Sequence, residues 1–224
     1  MCYKLNMTSS STVRSSSTTR SAVLVDFGGV VTTSVLDAFR GFGTEIGDRD
    51  LPLHLLGHDE QSRTLLADHE AGRIDAETFD VGFAARLGAH GVTVSSEGLS
   101  ARMQHRLERD DETVAMLSRL RAASVPVALV SNAFGRDTYA GFDLSELADV
   151  VVISSEVGIR KPSRRIFEIA CERLGVAPHE SVMIDDLQQN LDGAAKLGIA
   201  GVLHTDGADT ARQLSETFGL PATA

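Results

Sequence analysis

The residues able to do chemistry in this 224-residue chain fall at the ends of its most apolar runs. Ala22–Val25 leads directly into one carboxylate, Asp26, and Gly28 and Gly29 follow at once. The run Val127–Val130 ends in Ser131 and Asn132, and Ser181–Ile184 ends in the paired acids Asp185 and Asp186. Lys161 lies in the loop EVGIRKP that follows a further run, Val150–Ile153. A lone acid before two glycines also suits a turn, and a lone lysine suits a solvated surface, so meaning comes from the set. If the runs are parallel strands, their carboxyl ends lie along one edge of a sheet, where open α/β sheets place ligands. Two or three carboxylates, one lysine, one hydroxyl and glycine backbone then describe a site for a divalent cation and a phosphoryl group. Mg²⁺ prefers a few carboxylate oxygens, waters and phosphate, and needs neither His nor Cys.

The elements that must position this set can be read from hydrophobic period and punctuation. Short apolar runs bounded by Gly or Pro read as fully buried strands, and between Asp110 and Phe218 they alternate with helical patterns. Alternation of that kind predicts an α/β fold, a doubly wound, Rossmann-like parallel sheet. Helices are expected at Glu112–Ala123, Leu144–Ala148, Ser163–Leu174, Leu187–Leu197 and Asp209–Phe218, with Pro162 opening the third of them. In residues 33–109 apolar side chains recur at helical spacing, with stripes at Val35, Leu36, Phe39 and Phe42; Leu65, Leu66 and His69; Ile74, Phe79, Phe83 and Leu87; and Leu99, Met103 and Leu107. They predict a small helical cap inserted between two parts of the core, 21–32 and 110–224. Phe39, Phe42 and Phe83 fall on those stripes, which favours cap core over a specificity pocket. Residues 1–20, rich in Ser and Thr and poor in large apolar side chains, read as a disordered leader.

Composition narrows the function. A formal net charge of −10 argues against nucleic acid or an anionic membrane as partner. No apolar run approaches a membrane span and the first residues lack a signal-peptide pattern, so a cytoplasmic protein is expected. The only cysteines are Cys2 and Cys171, too few for a disulfide framework, and Cys171 falls in a helical pattern that suits a small core residue. Oligomeric state leaves no signature.

The set DFGGV, VSN, RKP and IDDLQQN, in this order and spacing, resembles the haloacid dehalogenase superfamily from Ala22 to Leu203. The helical insertion after the first motif is similar to the cap of the subfamily that contains the phosphatase domain of soluble epoxide hydrolase. The resemblance implies a Mg²⁺-dependent phosphatase of a small phosphorylated metabolite, working through an aspartyl phosphate on Asp26. It assigns phosphate binding to Ser131 and Asn132 with the backbone at Gly28 and Gly29, and charge compensation on nucleophile and phosphate to Lys161. The metal falls to Asp26, Asp185, Asp186 and the Gly28 carbonyl, and Asn190 is expected to orient Asp186. Arg160 reads as a salt-bridge residue.

One departure stands out. Most phosphatases of that superfamily carry a second aspartate two residues after the nucleophile, as acid and then base; here the position is Gly28. Glu45, Asp48, His54, His58 and His69 are the nearby substitutes, each also readable as a surface residue. The alternative is a catalytically impaired relative that binds a phosphorylated ligand. A dehalogenase is disfavoured because that branch replaces the metal carboxylates. A phosphonate hydrolase is disfavoured because 33–109 contains no lysine to form a Schiff base.

Overall fold

A computed structural model describes residues 20–135 and 138–223. Of the expected leader only Arg20 is among them; the rest lies outside the described residues. The strands β1 (Ala22–Val25), β2 (Val127–Ser131), β3 (Val150–Ile153), β4 (Ser181–Asp185) and β5 (Ala200–Leu203) form one five-stranded sheet in the order β3-β2-β1-β4-β5. Every pairing is parallel, with Val25 opposite both Leu129 and Ile184. Parallel strands need crossovers, and helices supply them on both faces. These are α6 (Asp111–Ala122), α7 (Leu144–Leu147), α8 (Ser154–Val157), α9 (Arg164–Leu174), α10 (Gln188–Ala195) and α11 (Gly207–Phe218). Val23 and Val25 face a cluster built with Met116, Leu117 and Leu214 of α6 and α11. Leu24 and Met183 face the opposite cluster, with Phe167 of α9 and Ala194 of α10. A sheet covered on both sides explains why β1, β2 and β4 read as unbroken apolar runs rather than alternating ones.

Between β1 and α6 the chain forms five further helices: α1 (Val35–Glu45), α2 (Leu51–His58), α3 (Glu60–Glu70), α4 (Ala76–Ala89) and α5 (Leu99–Gln104). They enclose an apolar cluster of their own that includes Phe42, Leu55, Phe79, Phe83 and Leu99, and Phe134 from the loop after β2 packs into it. Local capping starts several of them: the side chains of Ser34, Asp59 and Asp75 accept backbone N–H groups of Asp37, Ser62 and Thr78. Among the described residues no helix is long and apolar enough to cross a membrane.

Helix boundaries shift by one or two residues from the apolar pattern. Pro162 precedes the N-cap Ser163 of α9 instead of opening the helix, and α11 starts two residues early, at Gly207, because Asp206 caps it. The helices α2 and α8 were not anticipated from the period. Cys171 is buried, as a small core residue.

Gly193 shows how tightly the core holds the loop that carries Lys161: a β-carbon there would stand 2.4 Å from the Pro162 carbonyl oxygen. Gly193→Ala should therefore lower the unfolding free energy by about 1–3 kcal/mol, as overpacking against backbone does, read by urea denaturation. An unchanged midpoint would show the loop to be free to move.

Candidate active site

The sheet edge gathers the predicted residues. The β1 ladder continues through the Asp26 N–H, which donates to the Ile184 carbonyl at 2.9 Å, so Asp26 leaves the sheet beside the end of β4. The Phe27 N–H donates to Asp26 Oδ1 at 2.6 Å. Lys161 is 1% exposed, and its Nζ lies 2.6 Å from Asp26 Oδ1 and 2.8 Å from Asp185 Oδ2. Asn132 grips the backbone of that lysine from both sides: Oδ1 accepts the Lys161 N–H at 2.8 Å and Nδ2 donates to the Lys161 carbonyl at 3.2 Å. Ser131 accepts a hydrogen bond from Tyr139 at 2.9 Å, and Tyr139 packs edge-on against Phe27.

The two acids at the end of β4 do different work. Asp185 is fully buried; its Oδ1 accepts from the Leu187 N–H and from Asn190 Nδ2, both at 2.9 Å, while Oδ2 meets Lys161. Asp186 is half-buried and turns toward an adjacent cavity. Asn190 thus holds Asp185, which corrects the expected partner Asp186. Oxygen atoms of Asp26, Asp185 and Asp186 can all lie within 4.8 Å of one another.

Charge in this cluster is unbalanced. Burial pushes the Asp26 carboxyl up to about 8, against the pull of Lys161 and with Asp185 adding to the rise. Burial and then Asp185 push Asp186 up to about 6. Burial opposes the Lys161 charge, but Asp26 and Asp185 outweigh it and hold the ammonium above its ordinary value. Three acids against one ammonium leave a negative surplus that a divalent cation would neutralise. The donor set fits a hard cation: the acids are carboxylates, with no thiolate or imidazole among them. Asn190 Oδ1, beside this cluster through its bond to Asp185, is buried without a hydrogen-bond partner among the described residues.

Gly28 and Gly29 separate in role. Gly29 has φ +80°, and a β-carbon on it would lie 2.3 Å from Asp186 Oδ2, so its lack of a side chain makes room for that carboxylate. Its N–H is engaged by Thr32 Oγ1 at 3.3 Å, and Gly29 is not among the residues lining the cavity, in contrast to the expected phosphate contact. Gly28 does line it, and a β-carbon there would stand 2.7 Å from Val35 Cγ2, the first residue of α1. The insertion fills the place where an acid would begin.

The cavity has a volume of about 390 Å³ and runs from Asp26, Ser131, Asn132, Lys161 and Asp186 into the helical insertion. Its outer wall is apolar, formed by Val35, Leu36, Phe39, Leu53, Leu56 and Leu66. Phe39 belongs to both cavity and insertion core, whereas Phe42 and Phe83 are core alone. None of the five acid candidates from the sequence reaches it. Glu45 pairs with Arg106 at 2.8 Å, Asp48 accepts backbone N–H groups, and His54 and His58 are exposed. His69 is buried and stacked on Phe79, with Nε2 accepting the Gly135 N–H.

Glu70, which the sequence did not single out, does line the cavity. It is the last residue of α3, pairs with Arg160 and lies 3.4 Å from Asn132 Nδ2. Burial pushes its carboxyl up to about 7 against the pull of Arg160. A carboxylate in a helix's last turn opposes the helix dipole, and that was the one local signal available.

Residues 21–198 match the family described as haloacid dehalogenase-like hydrolase. Phosphoserine phosphatase of Thermus thermophilus is 36% identical over 95 residues, 41% of this chain and 38% of that protein. (S)-2-haloacid dehalogenase 1 of a Pseudomonas species is 30% identical over 97 residues, 42% and 43% of the two chains. The matched stretch thus spans about two fifths of the length of these curated relatives. A Bacteroides thetaiotaomicron enzyme of the same family, solved with magnesium and inorganic phosphate, superposes with a TM-score of 0.59 at 23% identity, covering 84% of this chain and 96% of that one.

The raised Asp26 group couples folding to pH. A folded-state carboxyl at about 8 against an ordinary 3.8 binds its proton more tightly when folded, so its stabilising contribution is complete below 3.8 and is lost as pH rises through about 8. Urea unfolding without divalent cation should show the chain losing stability relative to Asp26→Asn between those limits. A pH-independent difference would refute the burial argument.

Proposed function

The chain belongs to the haloacid dehalogenase-like hydrolases, and from there we propose that it is a Mg²⁺-dependent phosphatase acting on a phosphate monoester with an apolar body. The observation that carries this reading is the buried Lys161 ammonium held between Asp26 and Asp185, with Asp186 beside them at the cavity floor.

An anion attacking phosphorus is repelled by the phosphate it approaches. Lys161 offsets that repulsion at Asp26 Oδ1 and stabilises charge on the phosphoryl oxygens as it develops. Asp26 attacks phosphorus, the ester oxygen leaves, and water then cleaves the aspartyl phosphate, which divides one difficult hydrolysis into two steps. Ser131 faces the incoming phosphate, and Asn132 fixes the lysine backbone. Asp26 and Asp186, steadied by Asp185, would hold Mg²⁺, which supplies Lewis-acid stabilisation to the phosphoryl oxygens when bound. The apolar wall excludes water and suits a hydrocarbon substituent.

A second reading is favoured by Gly28 and Val35: with no acid two residues after Asp26, the site would bind a phosphorylated ligand without turning it over. A non-metal dehalogenase is not favoured, because Asp185 and Asp186 are both present and clustered with Asp26.

Acetyl phosphate hydrolysis with Mg²⁺, compared between the native chain and Asp26→Asn, separates the first two. Loss of turnover in Asp26→Asn and on chelation supports the phosphatase. Phosphate binding without Asp26-dependent turnover supports the binder. For the apolar wall, kcat/KM along the n-alkyl phosphates from ethyl to hexyl should rise by about fourfold per methylene, the equivalent of roughly 0.8 kcal/mol per buried CH₂. A flat series would exclude the apolar body.

A further inference from the structure

Alkyl phosphates have poor leaving groups, and a positioned acid is worth about 10²–10⁴-fold in their hydrolysis. Position 28 offers none. Among the described residues, the charged side chains lining the cavity are Asp26, Glu70, Arg160, Lys161 and Asp186, so Glu70 is the one carboxyl there outside the cation cluster. It enters from the insertion, opposite the sheet. Its backbone is tethered to the core, since the Glu70 carbonyl accepts from Ser154 Oγ, which itself accepts the Ala133 N–H at 2.9 Å. Its carboxyl is 3.4 Å from Asn132 Nδ2, and Asn132 is locked to the backbone of the lysine that touches Asp26.

We propose that Glu70 is the acid and base of this site, protonating the leaving oxygen and then accepting a proton from the attacking water. The proposal rests on the phosphatase reading. In the first step an Asp26 oxygen bonds to phosphorus, the bond from phosphorus to the ester oxygen breaks, and the Glu70 proton passes to that oxygen, leaving an alcohol and a Glu70 carboxylate. In the second, a water oxygen bonds to phosphorus, its proton passes to Glu70, and the bond to Asp26 breaks to release phosphate.

The surroundings suit that cycle. Burial favours the neutral acid, and the charged groups acting on it are Arg160 and Lys161, both in the loop after α8; α2, α4 and α8, packed beside α3, contribute none. A dianionic phosphate arriving at Asn132 and Lys161 would add negative charge nearby and raise the protonated fraction further. A purely structural Glu70, tying the insertion to the core through Arg160, would affect every substrate alike.

Leaving-group dependence separates the two roles, because acetate needs no proton to depart and an alkoxide does. With Mg²⁺, Glu70→Gln should lower kcat/KM for hexyl phosphate about 10²–10⁴-fold more than kcat/KM for acetyl phosphate, because kcat/KM reports formation of the aspartyl phosphate. It should lower kcat for both, because water attack on that shared intermediate loses its base. The urea unfolding midpoint reports whether the variant is folded. Equal change in kcat/KM for both substrates, or in neither, overturns the proposal. Should Glu70→Gln fail to fold, the native chain decides: the ratio of hexyl to acetyl phosphate kcat/KM should fall about tenfold per unit above a pH near 7. A ratio constant from about pH 6 to 9 overturns it. Acetyl phosphate turnover that survives Asp26→Asn would instead refute the phosphatase reading itself.

Discussion

A lysine side chain with almost no contact with solvent is the constraint around which this molecule is arranged. An isolated ammonium so deeply buried would cost several kcal/mol or give up its proton. It is retained because Asp26 and Asp185 flank it at salt-bridge distance. Each partner is in turn held by something that cannot move cheaply. Asp26 is fixed by the β1 ladder, and Asp185 by the Leu187 N–H and Asn190 at the start of α10. The lysine backbone is fixed by Asn132 at the end of β2. Three strands therefore converge on one positive charge, and the surplus negative charge they bring makes the site receptive to a cation.

Much of this was legible in the residues. Central strands buried on both faces must be written as continuous Val, Leu and Ile, so β1, β2 and β4 could be found from composition alone. The polar residue ending each strand could then be placed on a common edge by topology. What could not be read was contact between elements distant in sequence. Glu70 meets Asn132, 62 residues away, only after the insertion folds back over the sheet. The partner of Asn190 turns on which of two neighbouring acids points inward at the end of β4, and strand alternation does not reveal that to someone without the register. Helix α2 escaped because its leucines serve two sides: Leu51, Leu53, Leu55 and Leu56 all pack in or against the insertion core, and Leu53 and Leu56 line the cavity as well. A helix apolar on two faces has no single stripe.

The same duality gives the insertion its part in the site. Helices α1 to α3 supply the apolar wall, and the end of α3 supplies the one acid on that side. On the proposed phosphatase reading, the sheet edge would present the chemistry that a phosphate meets, and the insertion would select what is attached to it. Phe134, which leaves the sheet edge and packs among Phe39 and Phe79, keeps the two halves in register.

Val35 constrains what residue 28 can become. Its methyl group sits where the first carbon of a residue-28 side chain would have to go. An aspartate introduced there would require the Val35 side chain to give way, so positions 28 and 35 are coupled: a side chain at 28 calls for a smaller residue at 35. Engineering an acid into that strand end therefore begins at the first turn of α1.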